Sequence, residues 1–385
     1  MDGRESELPT QGRRSEPRSR SLQKLVLVSL VLLSLALSGV AIARSGNPYG
    51  TLEGMYTDHL RHQRYAEEFL RSGLRLYVEP AGVLQRLGGE DDRTYIWPQV
   101  SYPYPFGTIL VHLPAAILTY HLGVDPVLVN RLLVFAYVAL AHACVLIFAW
   151  DLLLTPDRGN RFIGLGVAAA FWLSLLLWSL NGQFEPLPIL LVLLASRSCR
   201  RQRFGAAMAL LGAAMLVKYQ AVIYAPLAAA ALWQRAIPRW QAVFLNPGAT
   251  VLVTAIGLDV LTFGLGYRDT QMPDNNVISY AALLSGQLSP NGMRLVIALA
   301  MTAVLSAHLT MRRAWPLALN VAFAAVLLAT LPQIQGWYML WLYPLAMFAQ
   351  GTRRDSVGFW TLALAYLLGQ LPDPTYIGTM IAARL

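Results

Sequence analysis

The sequence predicts an all-α, polytopic transmembrane helical bundle of about 11 crossings with further helices on its outer face. Three observations carry this. Of the 385 residues, 56% are hydrophobic and only 13% are charged, too apolar a balance for a soluble chain of this length. Long apolar runs recur along nearly the whole sequence. All but two of the 30 basic residues are arginine, and many of these fall in short loops between apolar runs. That distribution sets membrane orientation, so the net charge of +9 implies membrane lipids as partners and no nucleic acid.

Residues 1–24 are rich in Arg, Ser, Glu and Pro with little to bury, which predicts a disordered cytoplasmic tail. Residues 25–385 form a single membrane domain. Its first run, Leu25 to Ala43, is long enough to span and is followed by no small-residue cleavage site, so it reads as a membrane helix and not as a cleavable signal. A long polar loop, 44–105, follows. The next apolar segments are Phe106 to Leu122, Val127 to Leu154, Phe162 to Leu180, Pro186 to Ala195, Phe204 to Val217 and Ala221 to Trp233. Five more complete the chain: Ala249 to Phe263, Leu295 to His308, Ala314 to Leu331, Trp337 to Phe348 and Val357 to Leu371. Several are shorter than the roughly 20 residues of a perpendicular span, so their ends must extend into polar flanks.

The tail, Arg158 with Arg161, the cluster Arg197 to Arg203, Arg235 with Arg239, Arg312 with Arg313, and Arg353 with Arg354 belong on the cytoplasmic side. Alternation then requires that one segment before Phe162 does not cross. Phe106 to Leu122 is the choice, because it follows Tyr102-Pro103-Tyr104-Pro105 and contains Pro114, as suits a re-entrant or juxtamembrane helix. The amino end lies inside and the carboxyl end outside a cell (cytoplasmic) membrane. The loops 44–105, 181–185, 218–220, 264–293 and 332–336 gather on the outer face. Cys144 and Cys199 give neither a disulfide framework nor metal spacing.

Polar residues in those outer positions are the candidates for chemistry. In the first loop, Thr57 to Gly73 reads as a helix capped by Thr57 and ended by Gly73. Asp58, His62, Tyr65 and Phe69 share one of its faces, and Asp58 stands in the first turn, where the helix dipole favours a carboxylate. Its bland alternative is mere support of that helix end. Lys218 is the only lysine after Lys24 and interrupts the apolar stretch Leu211 to Pro226 near the expected outer boundary. Burying its ammonium is costly without an anionic partner, unless it snorkels to the headgroups. Gln183 and Glu185 end one apolar run, Gln220 follows Lys218, and Gln335 and Tyr338 stand at another outer turn. Asn275 lies in the punctuated loop 264–293, a composition that suits a binding loop or a plain solvated connection.

These features together resemble the GT-C superfamily of integral membrane glycosyltransferases, closest to its polyprenol-phosphate-mannose-dependent mannosyltransferase-like branch. The matching positions are Tyr56-Thr57-Asp58-His59, Gly73 with Tyr77, and Tyr102-Pro103-Tyr104-Pro105-Phe106-Gly107. Asn181-Gly182-Gln183-Phe184-Glu185, Val217-Lys218-Tyr219-Gln220 with Pro226, and Gln335-Gly336-Trp337-Tyr338 with Pro344 complete the set. The resemblance runs from about Leu25 to Phe348. It implies transfer of a hexose, mannose foremost, from a polyprenyl-phosphate sugar donor to a lipid or glycan acceptor on the extracytoplasmic face, with Asp58 at the position of an essential acidic residue. An Asp-x-Asp pair is absent there, so the sequence supports no cofactor, although a divalent metal is compatible with the family.

The residues fit that chemistry independently. An inverting displacement needs one carboxylate to take the acceptor proton and a positive group for the departing phosphate. Asp58 and Lys218 fill those roles; His62, Tyr65, Gln183, Glu185, Gln220, Asn275, Gln335 and Tyr338 remain to bind substrate. Two other readings stay open. A transporter or flippase of an amphipathic substrate would place its polar groups near the midplane with symmetry between halves, and no internal repeat is visible. A glycan polymerase or ligase acting on diphosphate-linked carriers would use outer-loop arginines such as Arg61, Arg64 and Arg268.

Overall fold

The computed structural model describes residues 16–47, 58–77, 102, 104–153, 159–218, 221, 224, 340, 341, 343 and 344. Regular structure among them is entirely helical. The order is α1 (Glu16–Arg44), α2 (Asp58–Ser72) with a 3-10 turn Gly73–Tyr77, α3 (Phe106–Ala116) with a π turn Ile117–His121, α4 (Pro126–Leu153), α5 (Gly159–Leu180), α6 (Pro186–Arg200) and α7 (Phe204–Val217). Among the described residues two stretches are long and apolar enough to cross a membrane, Ser21–Arg44 and Pro126–Asp151. Segments after Val217 that the sequence marks as apolar lie outside the described residues, apart from a few isolated positions.

α1 begins at Glu16, inside the segment expected to be a tail. It runs antiparallel to α4 in a register fixed by four contacts. Lys24 Nζ lies 4.3 Å from the Trp150 ring, His142 Nε2 meets the Ser34 hydroxyl at 3.0 Å, Gly39 faces Phe135, and Arg131 donates to the Ser45 carbonyl at 2.9 Å. One face of α1 stays open, with Leu25, Leu32, Leu33 and Leu37 exposed, as expected of a helix at the lipid-facing edge of a bundle.

α4 is the central post. α5 returns along it, with Phe148 and Phe171 centroids 5.1 Å apart and Leu180 beside Val138. α6 and α7 form an antiparallel hairpin through the arginine turn Arg201–Arg203, where Gln202 takes a left-handed φ of 57°. The sequence expects this basic turn, since two apolar runs separated by so few residues must fold back on each other. The main core joins α4 to α7 through Cys144, Phe148, Phe171, Leu175, Ile189 and Met208, and Trp341 and Tyr343 pack into it.

α6 and α7 have 15 and 14 residues, so each is roughly 21–23 Å long against about 42 Å for α4. They stop short. The Cys144 thiol reaches the Pro186 carbonyl at the start of α6, in the middle of α4. α2 and α3 pack chiefly on one another and touch the earlier part of α4 at single points, Gln63 on Asn130 and His112 on Tyr137. α3 is the segment that the topology reading kept from crossing; Pro114 lies inside the helix, which runs on past it into the π turn.

Candidate functional site

α5 ends in a Schellman motif: Gly182, at φ 83°, donates to the Ser179 carbonyl, and Gln183 N–H reaches back to Trp178 O. The reversal turns the chain inward. Asn181, Gln183, Phe184 and Glu185 are consequently all buried, where the sequence reading expected a short outer loop. Glu185 then meets Lys218, which directly follows the last residue of α7, and the ammonium donates to Glu185 Oε1 in an ion pair shielded on both sides. Here the structure changes the expectation for Lys218. Its anionic partner is a residue of this chain, Glu185 at the start of α6.

Lys218 Nζ also lies 4.6 Å from the Phe184 ring centroid, a cation-π contact. Phe184 is shared. His62 of α2 and His112 of α3 both set their edges against it, with centroids 5.0 and 5.3 Å away, and the two imidazoles are 4.9 Å apart. His62 further contacts Tyr104 at 4.5 Å, and its Nδ1 is 2.9 Å from the Tyr102 hydroxyl. Among the described residues His62 Nε2 has no hydrogen-bond partner, although it is fully buried. Burial holds the His62 imidazole well below its ordinary value, with the positive fields of His112, Arg61, Lys218 and His59 adding to it. Burial also pushes the Tyr65 and Tyr102 phenols up. At neutral pH His62 is therefore an uncharged ring facing two uncharged phenols.

His112 has a definite tautomer. Its Nδ1–H donates to the Thr108 carbonyl at 2.7 Å, one turn back on α3, leaving Nε2 to accept the Tyr137 hydroxyl at 2.6 Å. The Thr108 hydroxyl donates to the Val217 carbonyl, the peptide just before Lys218. α3 is thus tied to α4 and α7 at the ion pair. The tie needs close approach, and Gly107 permits it: a Cβ there would lie 2.4 Å from the Leu216 carbonyl oxygen and 2.6 Å from its carbon. Backbone cannot yield as a side chain can. Gly107→Ala should separate α3 from the end of α7 and cost about 1–3 kcal/mol. Thermal unfolding in one detergent checks this, and an unchanged midpoint would mean that the helices are not clasped.

Of the residues that the sequence put forward, His62, Gln183, Glu185 and Lys218 converge around Phe184. Tyr65 is buried one turn along α2, its ring 4.6 Å from Tyr102. Asp58 is the first residue of α2, one turn before His62. Gln220, Asn275, Gln335 and Tyr338 lie outside the described residues. His112, Thr108 and Tyr137 belong to the cluster and were not singled out from sequence; a histidine four residues after a threonine in an apolar run was the available signal. Among the described residues no three His, Cys, Asp or Glu side chains stand together as a metal site. No protein-family model, curated protein or solved structure matches the chain.

Proposed function

We propose that the chain is a multi-pass membrane glycosyltransferase of the GT-C kind, moving a hexose, mannose foremost, from a polyprenyl-phosphate donor to a lipid or glycan acceptor on the extracytoplasmic face with inversion. The carrying observation is the polar nest: a shielded Glu185–Lys218 pair beside two imidazoles in an apolar bundle, under a helix that begins at Asp58. Ionisable groups are retained in such surroundings chiefly for function. In this reading the Asp58 carboxylate takes the acceptor hydroxyl proton as the oxygen attacks the anomeric carbon. The bond from that carbon to the phosphate oxygen breaks, its electron pair goes to the phosphate, and Lys218 stabilises the growing charge. His62, Tyr65, Gln183 and Glu185 are assigned to substrate binding in this reading, and so by sequence alone are Gln220, Asn275, Gln335 and Tyr338.

The bundle would have eleven crossings with the arginine turns inside. Cysteines at Leu122 and Gln202, both in exposed turns, test the layout in a Cys199→Ser background. An impermeant thiol reagent on intact cells should modify the first and miss the second; equal labelling would overturn the topology. The decisive assay of function offers membranes polyprenyl-phosphate sugars against nucleotide sugars. Transfer only from the former supports the proposal, and transfer only from the latter refutes it.

One observation favours a second reading. The nest is bounded by Tyr137 and by Pro186 against Cys144, the middle third of α4, and a transporter or flippase of lipid-linked sugars would hold its polar groups at such depth. Purified protein in liposomes separates the two, since a flippase moves the lipid across without changing it.

A further inference from the structure

A salt bridge has no net charge, so Lys218 closed on Glu185 gives an arriving anion little net attraction. Beyond the pair, the charge next to His62 is the guanidinium of Arg61 on α2, and phosphate binding would gain from a further cation beside it. The groups that face His62 are, on α2, His59 and Arg61; beside it, Tyr65, Tyr102 and Tyr104; on α3, His112; at the start of α6, Glu185; and after α7, Lys218. Asp58 stands one turn earlier on α2. His112 is committed on both nitrogens, Nδ1 to Thr108 and Nε2 to Tyr137. His62 is not: its Nδ1 meets Tyr102, and Nε2 is buried with no partner among the described residues. The His62–Tyr102 bond runs in either direction with the tautomer; in the one that gives Nδ1–H to the Tyr102 oxygen Nε2 is bare, and a proton added there would supply a new N–H donor to the nest.

We propose that the nest binds the phosphate of a lipid-linked phosphodiester together with one proton, which His62 takes up at Nε2. This rests on the reading of the site as one that receives a phosphorylated lipid, and it holds whether the lipid is then cleaved or carried across. The physical cause is mutual. Burial and, after it, positive neighbours favour the neutral imidazole, and an anion placed among them favours the charged ring. The proton comes from solvent and returns to it when the lipid leaves, so no net chemistry is required.

The test uses the full-length protein in nanodiscs and the methyl ester of a short-chain polyprenyl phosphate, a diester that does not titrate near neutrality. Calorimetry at pH 8 in two buffers of different ionisation enthalpy counts protons. The expected result is uptake of close to one proton per lipid, with affinity falling about tenfold per pH unit on the alkaline side. His62→Gln should abolish the uptake and the pH dependence, whereas Asp58→Asn should retain both. Dimethyl phosphate should bind far more weakly with the same uptake, assigning affinity to the chain and proton coupling to the phosphate. Lipid binding without proton uptake by the parent protein overturns the proposal but leaves the lipid-phosphate reading standing, and uptake lost in Asp58→Asn overturns it as well. Failure of the diester to bind at all removes both.

Discussion

Asp58→Asn should lower sugar transfer by about 10²- to 10⁴-fold while the protein still inserts and unfolds at the temperature of the parent. The substitution keeps the size and hydrogen-bonding capacity of the side chain, and the lost charge–dipole attraction in the first turn costs only about 0.3–1 kcal/mol. What it removes is the basicity. α2 begins at this residue, and His62 and Tyr65 further along it are packed into the bundle. An intact helix with lost transfer is therefore the signature of a general base, to be read by single-turnover transfer from a polyprenyl-phosphate sugar alongside a melting curve. A large fall in stability with proportional loss of transfer would instead assign Asp58 to the helix end alone, and near-normal transfer would remove it from the mechanism.

Lys218→Met has the second large effect, and it appears first in stability. Deleting the ammonium leaves Glu185 with its shielded carboxylate uncompensated, which should cost about 3–5 kcal/mol in a denaturation series. The double variant Lys218→Met, Glu185→Leu removes both charges and should recover most of that loss, because a buried ion pair replaced by apolar groups is often no less stable. Binding of the donor lipid and transfer should stay impaired in the double variant. Lys218→Arg should recover part of the activity, since a planar fork replaces a compact charge at the same position. A single variant as stable as the parent would show that the pair does not form in the folded protein. A double variant with full lipid binding would reduce the pair to a structural clamp.

Much of the architecture follows from patterns that local physics dictates. Apolar runs bounded by arginine turns mark α1, α4, α5, α6 and α7 to within a few residues except at the start of α1, because each buried helix must satisfy its own backbone and arginines avoid the apolar interior. The end of α2 was legible from Gly73, which follows its last residue with a φ of 57°, while the expected cap Thr57 lies outside the described residues, and α3 runs on past Pro114 into its π turn. The extension of α1 back to Glu16 was not legible, since a helix once nucleated by a long apolar run propagates into flanking polar residues that would not form one alone.

The site divides in the same way. Lys218 and Glu185 each announce themselves as charges in apolar surroundings, yet 33 residues separate them, and nothing local says that they are partners. His112 and His142 make the point more sharply. Both lie in apolar runs, and both use Nδ1 to bond the carbonyl four residues earlier, at Thr108 and Val138. By sequence they are equivalent. Only the packing of α3 against α2 and α7 puts His112 beside His62, while His142 faces Ser34 on α1 and serves that helix contact. The sequence by itself determined a helical membrane chain, the ends of its elements and which residues are expensive to bury, because those depend on composition and short-range periodicity. The tertiary structure alone decided which expensive groups compensate one another, because that depends on the lengths of α6 and α7 relative to α4 and on a close approach at Gly107.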